Sequence, residues 1–435
     1  MEKDRTAHKP IERLSAPPYV TIHLVQHAGA AARPVVKQGD HVRVGQIIGE
    51  LSGPLCASVH ASVAGKVTEV GLFPHPTGKQ GPAIKIENDG SSDSIRMPAL
   101  EKPWREAALG ELIHIIADAG IVGMGGGALP THIKLSPPAN KPIDTLIING
   151  IESEPYLTAD LRLMVEHPED ILTGALIVKK ILGTTTNMVA IEADGQKAGV
   201  KISGVLRDPK FKDFSLAKLQ SKYPQGSEKQ LIQALLKKQI PSGGSSMDCA
   251  CMVVNVATAY AIAGAVINGV PLYERVVTVN GPAIRSPKNL LAPIGTPLRH
   301  ILDFCDIDMN SARKIVMGGA MTGIAQSDLE VSVQKTTCGI LAFDRLVEGE
   351  RRFECINCGN CVKSCPIRLV PSVLAKYVGS NKVEEALDRG IMDCIECGSC
   401  AYVCPSKINL VHFMKLGKYR IAGKKPAVVF FKEAV

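Results

Sequence analysis

Aromatic residues make up only 4% of this 435-residue chain, and there is a single tryptophan. Surfaces that read nucleic acid interleave basic residues with aromatics that stack on bases, so this scarcity argues against such a partner. No apolar run is clean enough to cross a bilayer. The longest, Cys251 to Val270, is broken by Asn255, Thr258, Gly264 and Asn268 and reads as a buried helix. The opening Met1-Glu2-Lys3-Asp4-Arg5 lacks the apolar stretch of a secretory signal, so a cytoplasmic chain is expected. The net charge of +8 is moderate and unevenly spread. Between Val411 and Val435, Lys415, Lys418, Arg420, Lys424, Lys425 and Lys432 face Glu433 alone. That stretch reads as a solvated tail, or as a docking surface for an acidic partner or an anionic membrane face.

Cysteine is present in quantity, and eight of the thirteen are ordered. The pattern C-x-x-C-x-x-C-x-x-x-C-P occurs twice, as Cys355, Cys358, Cys361 and Cys365 before Pro366, and as Cys394, Cys397, Cys400 and Cys404 before Pro405. Three thiolates at this spacing wrap one iron–sulfur cube, and the fourth reaches the other cube. Cys355, Cys358, Cys361 and Cys404 are therefore expected to hold one 4Fe–4S cluster, and Cys394, Cys397, Cys400 and Cys365 the second. Zinc ribbons would need two CxxC pairs across a longer loop, which this spacing does not offer. Gly359 and Gly398 each follow the second cysteine of their motif and leave the backbone room to approach a cluster. Free ligand thiols suit a reducing compartment. Cys249, Cys251, Cys305 and Cys338 lack such spacing and read as buried structural residues.

At this length the chain should form roughly three or four domains of ~100–150 residues. The first hundred residues alternate short apolar runs with glycine turns, in an order that resembles the barrel-sandwich domain of biotinyl and lipoyl carriers. Carriers of that kind hold their cofactor on a hairpin lysine. Here the hairpin is Gly53-Pro54-Leu55-Cys56, with no lysine, so the module reads as structural. His60 and His75 near it are expected to be satisfied polar residues.

A helical pattern from Leu109 to Ala119 leads into Gly120-Ile-Val-Gly-Met-Gly-Gly-Gly-Ala-Leu-Pro-Thr-His-Ile-Lys134. Gly123, Gly125, Gly126 and Gly127 strip Cβ atoms from a turn, so that amides can close on a phosphate or a flat ring. Pro130 marks a helix start, and Lys134 adds a point charge one turn in. The loop is neither a Walker loop nor a clean G-x-G-x-x-G. After it, the strand candidate Thr145–Asn149 opens into Asn149-Gly-Ile-Glu152-Ser-Glu154-Pro. Carboxylates at a strand's carboxyl end are where an α/β sheet places ligand contacts. Tyr223-Pro-Gln-Gly226-Ser-Glu228 and Asn255-Val-Ala-Thr258 each lead into a helix.

In this order the four motifs resemble the flavin- and NADH-binding subunit of respiratory complex I. Over nearly the whole chain the sequence resembles the RnfC family, whose members are subunits of the membrane-bound, ion-translocating ferredoxin:NAD oxidoreductases of the Rnf type. Gln26-His-Ala-Gly-Ala30, His75-Pro-Thr-Gly78, Pro241-Ser-Gly-Gly244, Glu274–Gly281 and Met317-Gly-Gly-Ala-Met321 carry that resemblance beside the motifs above. It departs from the family in the loop, where Gly127, Ala128 and Leu129 replace Ala, Gly and Phe, removing an aromatic platform. Ser153 and Ala159 also stand where relatives often have cysteine.

The resemblance implies an α/β multidomain protein. Residues 1–100 would be a barrel-sandwich hybrid and 101–268 a Rossmann-like FMN/NADH domain. A soluble-ligand-binding β-grasp module would span 269–345, an α-helical double 4Fe–4S ferredoxin domain 346–412, and a basic tail 413–435. It further implies FMN, NAD(H) and two clusters as cofactors. Gly123, Gly125, Gly126, Gly127, Lys134, Asn149, Glu152, Glu154, Gly226, Glu228, Asn255 and Thr258 would line the flavin and dinucleotide site. Glu152 and Glu228 would hold ribose hydroxyls while hydride passes between nicotinamide and flavin, and single electrons would run on to the clusters. Partners would be the other Rnf membrane proteins and a ferredoxin-type protein, with peripheral association at the cytoplasmic face of the membrane. Two alternatives stay open: a soluble flavin–iron–sulfur reductase serving a cobalamin or amino-acid reductase system, and a non-enzymatic electron wire.

Overall fold

The structure is a computed structural model that describes residues 2–345 and 353–424. The chain divides into two compact units. One comprises Met1–Ser221 and Cys251–Asp344, the other Lys222–Ala250 and Arg345–Val435. Among the described residues no helix is long and apolar enough to cross a membrane.

In the first unit, the alternating runs near the N-terminus form two small antiparallel sheets. Tyr19–His23, Gln80–Asn88, Gly65–Pro74 and His41–Val42 lie side by side in one, and Arg33–Pro34, Ile47–Glu50 and Val59–His60 in the other. Alternation puts Val20, Ile22, Ile48, Val59, Val67, Ile84 and Ile86 inside, all without solvent contact. Gly29, at φ +117°, packs so closely on the hairpin that a Cβ would stand 2.0 Å from the Leu55 carbonyl. His75 is satisfied, its Nδ1 2.7 Å from the Thr77 hydroxyl. His60 corrects the expectation: it is buried and neither ring nitrogen has a hydrogen-bond partner. Burial holds it neutral by pushing its pKa down to about 3.

The next layer is a parallel sheet in the order Phe214–Leu219, Thr186–Glu192, Thr145–Gly150, Cys251–Asn255. The run expected as one buried helix is divided here. Cys251–Asn255 is the edge strand, and only Val256–Asn268 is helical. Asn255 makes the break, its side-chain oxygen accepting the Ala257 amide at 2.9 Å as an N-cap. That helix lies against Pro168–Leu182, where Gly174 leaves no room for a side chain: a Cβ would meet the Ala259 carbonyl at 1.8 Å.

A six-stranded mixed sheet completes the unit, running Ile11–Arg13, Lys288–Pro293, Glu274–Asn280, Gly339–Phe343, Lys314–Met317, Ile324–Gln326. Its core gathers Val277, Val279, Leu290, Leu298, Ile301 and Ile340. Residues before Leu14 thus pair with this sheet through Ile11–Arg13. The buried Thr6 hydroxyl bonds Thr158, whose hydroxyl also bonds Asn289, and Asn289 donates back to the Thr6 carbonyl.

The second unit is helical. Pro371–Gly379, Val383–Asp388 and Leu410–Lys424 pack around Leu374, Val378, Ala386, Ile391 and Met414. The start of the expected basic tail is therefore ordered helix, with Met414 and Ile421 buried. Lys425, Lys432 and Glu433 lie outside the described residues. Residues 222–250, expected within the flavin domain, pack in this unit through the helix Glu228–Leu236.

Candidate functional site

The glycine loop is a closed clasp. Gly123 N donates to Leu129 O at 2.9 Å, Ala128 N to Gly123 O at 3.1 Å, and Thr131 N to Ile121 O at 2.9 Å. Gly126 sits at φ +101° and Gly127 at an ordinary φ, and a Cβ at either would meet no atom within 4 Å. The open side of the clasp is thus a cradle that side chains would fill. Ala128 takes a left-handed conformation, φ +52°, that glycine adopts at no steric cost. Thr258, buried below, accepts the Met124 amide at 3.0 Å. Asn255 lies alongside, 3.2 Å from where a Gly125 Cβ would be. Thr131–Lys134 forms the single helical turn after Pro130, with Lys134 partly exposed.

A buried lysine supports the clasp from behind. Lys335 is 1% exposed and donates to Ser58 O at 2.6 Å and Gly120 O at 2.7 Å, tying the carrier-like hairpin to the root of the loop. Burial pushes its pKa down to about 7. On the other face, the Ala28 amide donates to Ala128 O at 2.9 Å.

The carboxylates after Thr145–Gly150 are turned inward. Glu152 is buried and accepts the amides of Asp160 and Leu161 at 3.2 and 3.1 Å, so it caps the helix Ala159–Glu166. Glu154 accepts Met321 N, Thr322 N and the Thr322 hydroxyl at 3.0, 3.1 and 2.5 Å. Gly319 permits this, since a Cβ there would collide with the Glu154 carboxylate. Asn149 accepts the Ile151 amide. Burial raises the Glu152 carboxyl pKa, and the Asp160 carboxylate raises it further; burial likewise raises Asp160. Two neighbours have no signature in the sequence. Asp160 accepts from Asn255 Nδ2 at 2.6 Å, and Lys3 reaches both the Glu152 carbonyl and Glu192. A lone helix aspartate and an N-terminal lysine carry no spacing signal.

In the helical unit the two cysteine motifs adopt one backbone twice. Asn357 and Glu396, Gly359 and Gly398, and Arg368 and Lys407 occupy matching positions, all at φ between +54° and +76°. Short helices, Asn360–Lys363 and Ser399–Tyr402, follow the two glycines. Cys365, Cys394, Cys397 and Cys400 line one cavity, closed by Ile367, Leu369, Ile395 and Met414. Burial pushes the Cys400 thiol up to about 12, with Cys394 and Cys397 adding to it and Cys365 contributing less. Four cysteines lining one cavity with otherwise apolar walls are the donor set that an iron–sulfur cluster takes. Cys355 and Cys358 are exposed, whereas Cys397, Cys400 and Cys404 are buried. Gly226 and Glu228, expected with the flavin residues, belong to this unit, Glu228 as the first residue of its helix.

Comparison with known proteins bears on both sites. Residues 1–91 match the RnfC barrel sandwich hybrid domain family, 116–264 the Nuo51 FMN-binding domain family, and 354–408 the 4Fe–4S dicluster domain family. The corresponding component of the proton-translocating ferredoxin:NAD(+) oxidoreductase complex of Clostridium ljungdahlii is 41% identical over 97% of this chain and 93% of its own length. Its counterpart in the Na(+)-translocating complex of Acetobacterium woodii is 38% identical over 97% and 95%. The chain belongs to the RnfC family. An RnfC chain of this kind carries an FMN-binding fold and a dicluster fold, and the cradle at Gly126–Gly127 and the four-sulfur cavity fit those groups. The architecture also extends beyond RnfC. A solved NAD+-reducing nickel–iron hydrogenase matches 74% of the chain, and 62% of its own, at a TM-score of 0.50 and 15% identity, a likeness of fold.

Proposed function

We propose that this protein is the electron-transfer subunit of a membrane-associated, ion-translocating ferredoxin:NAD+ oxidoreductase complex, exchanging electrons between NAD(H), FMN and two 4Fe–4S clusters. The observation that carries this reading is the presence, in one chain, of an open glycine cradle and a cavity walled by Cys365, Cys394, Cys397 and Cys400. A flavin, when bound, supplies the exchange between two-electron and one-electron carriers. The chain's own residues bind and orient. The open turn at Gly125, Gly126 and Gly127 would hold the flavin, Lys134 would contribute positive charge to its phosphate, and Thr258 and Asn255 keep the loop in place. Gly123 closes the clasp, while Asn149, Glu152 and Glu154 hold the neighbouring loops rigid through backbone amides. Glu228, at a helix start, is the carboxylate assigned to a ribose diol, where it also disfavours a 2′-phosphate. Cys355, Cys358, Cys361 and Cys404 hold one cluster and Cys394, Cys397, Cys400 and Cys365 the other. Association with the membrane runs through the other members of the complex, on the cytoplasmic face, together with a ferredoxin-type partner.

The test is stopped-flow mixing of the reconstituted chain with dinucleotide. NADH should bleach the flavin band far faster than NADPH, and Glu228→Gln should raise the NADH concentration required without releasing FMN. No bleaching at millimolar NADH, in protein whose flavin and clusters dithionite still reduces, rejects the oxidoreductase reading.

A further inference from the structure

Three parts of the first unit meet at one side chain. Lys335 lies in the loop before the strand Gly339–Phe343, yet its amine ends between Ser58 O of the carrier-like hairpin and Gly120 O at the root of the glycine loop. Its backbone is clamped as well. The Lys335 amide donates to Gln26 Oε1 at 2.9 Å, and its carbonyl accepts Arg275 Nη1 at 2.6 Å. Gly120 admits the amine: it stands at φ +65°, and a Cβ there would lie 2.1 Å from Ser58 O and 2.7 Å from Lys335 Nζ. The hairpin meets the loop again at His132, on the turn after Pro130, which hydrogen-bonds the Pro54 carbonyl. At the far end Gln26–Ala30 joins the two, Ala28 N donating to Ala128 O and Ala30 N to Leu55 O at 3.1 Å. A hairpin tied to the loop at its root, its following turn and its tip is a fixed wall of the cradle.

The charge on Lys335 has no answer within the chain. The side chain is fully buried, and both of its partners are backbone carbonyls. Facing it are the imidazoles of His27 and His60, which burial holds neutral, and the sulfur of Cys56. His132 lies beyond His27, and the Asp118 carboxylate rests against His114 at 3.2 Å. The guanidinium of Arg275 faces Asp160 and Glu152 instead. Among the described residues no carboxylate therefore pairs with Lys335. A buried cation without a counter-ion is costly to keep, so an anion held at the neighbouring cradle would stabilise it. A neutral amine still has two N–H groups, enough for two carbonyls, so loss of the proton removes the charge and spares the bonds.

We infer that Lys335 is a positioning residue of the flavin site, pinning the carrier-like hairpin to the root of the glycine loop and carrying the positive charge that answers the anionic flavin. This rests on the FMN site proposed above. When FMN binds, the Lys335 amine takes a proton from solvent and becomes an ammonium. No bond to the flavin forms, and no electron passes through the lysine.

The test uses the full chain with and without FMN. Lys335→Met keeps the side-chain length and loses the donors and the charge. Flavin fluorescence quenching at pH 7, on variant shown folded by circular dichroism, should find FMN held about tenfold more weakly or worse. Equal affinity overturns the positioning role. Proton uptake is read on the wild type and so does not depend on the variant folding. At pH 8 the flavin phosphate is fully ionised and His27, His60 and His132 are neutral, so calorimetry in buffers of different ionisation enthalpy isolates the lysine. Wild type should take up protons on binding FMN, and Lys335→Met should take up fewer. No uptake by wild type, or equal uptake in both, overturns the counter-charge. Hydrogen exchange of the flavin-free chain reads the junction alone. In Lys335→Met, peptides covering 53–60 and 120–131 should exchange faster while Thr145–Gly150 keeps its protection; uniform acceleration shows a global loss of stability and rejects the proposal. A wild type that binds no FMN counts against the function proposed above, and the exchange comparison still decides the junction.

Discussion

Asn255 donates its side-chain amide to the Asp160 carboxylate at 2.6 Å while its oxygen caps the helix that begins at Val256. One residue thus joins the end of the edge strand to the helix that Glu152 caps, and it borders Gly125 of the cradle. Asn255→Ala removes the cap, worth about 1 kcal/mol, and leaves the half-buried Asp160 carboxylate short of a donor, adding about 1 kcal/mol. Denaturant unfolding should register that loss, and gel filtration should show reduced FMN retention. Full stability in the variant would show that neither bond matters.

Thr258 tests the loop more narrowly. Its hydroxyl oxygen accepts the Met124 amide inside the protein, so Thr258→Val keeps the volume while orphaning one buried N–H. The expected cost is about 1–3 kcal/mol, concentrated in the loop. FMN affinity should fall more than global stability. A variant that binds FMN as the wild type does would mean the loop holds its shape without this bond.

These two residues also show what the sequence makes legible. Motif order pointed to Asn255 and Thr258 as ligand contacts, and the structure puts both beside the loop, but through bonds to protein atoms rather than through open polar groups. Short motifs report which residues share a site, not which way each side chain turns. The cysteines were easier, because ligand spacing is a local geometric requirement and the two loops repeat it with the same positive-φ positions. Helical periodicity located Leu109–Asp118 but failed at Cys251–Val270, where a fully buried strand and a buried helix look alike and only Asn255 marks the join. Contacts such as Lys335 to Gly120, or Lys3 to Glu192, join residues some two hundred positions apart, and no local pattern announces them.

The cradle can be probed at adjacent positions with different outcomes. Gly127 has an ordinary φ and open space around a Cβ, so Gly127→Val fills the cradle without backbone strain. FMN binding should be lost while thermal stability without the flavin is unchanged. Gly126, at φ +101°, resists any side chain on conformational grounds, so Gly126→Val should lose both. Ala128→Gly runs the other way: it relieves a left-handed alanine and should gain about 0.5–1 kcal/mol. Calorimetry of the three variants with and without FMN separates these effects. If Gly127→Val retains stoichiometric FMN, the flavin is not held at this turn.

Acid stability should be governed by three buried histidines. Burial lowers His23 and His27 to about 4 and His60 to about 3, all well below the ordinary imidazole value. The His75 ring beside His23 lowers that residue further, and Lys335 does the same for His60. The sign follows from proton counting. Below the ordinary pKa of about 6.5 the unfolded chain binds a proton at each of these sites and the native state does not, so stability falls as pH drops from about 6.5 toward 4. Each site contributes about 1.4 kcal/mol per pH unit in that window, and above it the contribution vanishes. His60 is the cleanest place to look, because its pKa is displaced furthest of the three. His60→Leu should therefore gain about 2 kcal/mol relative to wild type on going from pH 7.5 to pH 5, whatever its effect at pH 7.5. The difference between variant and wild type cancels the acid lability of the clusters, which both proteins share. Parallel urea titrations at the two pH values measure it. An identical difference at both would mean that His60 is protonated in the folded protein at pH 5, and that its buried position is hydrated.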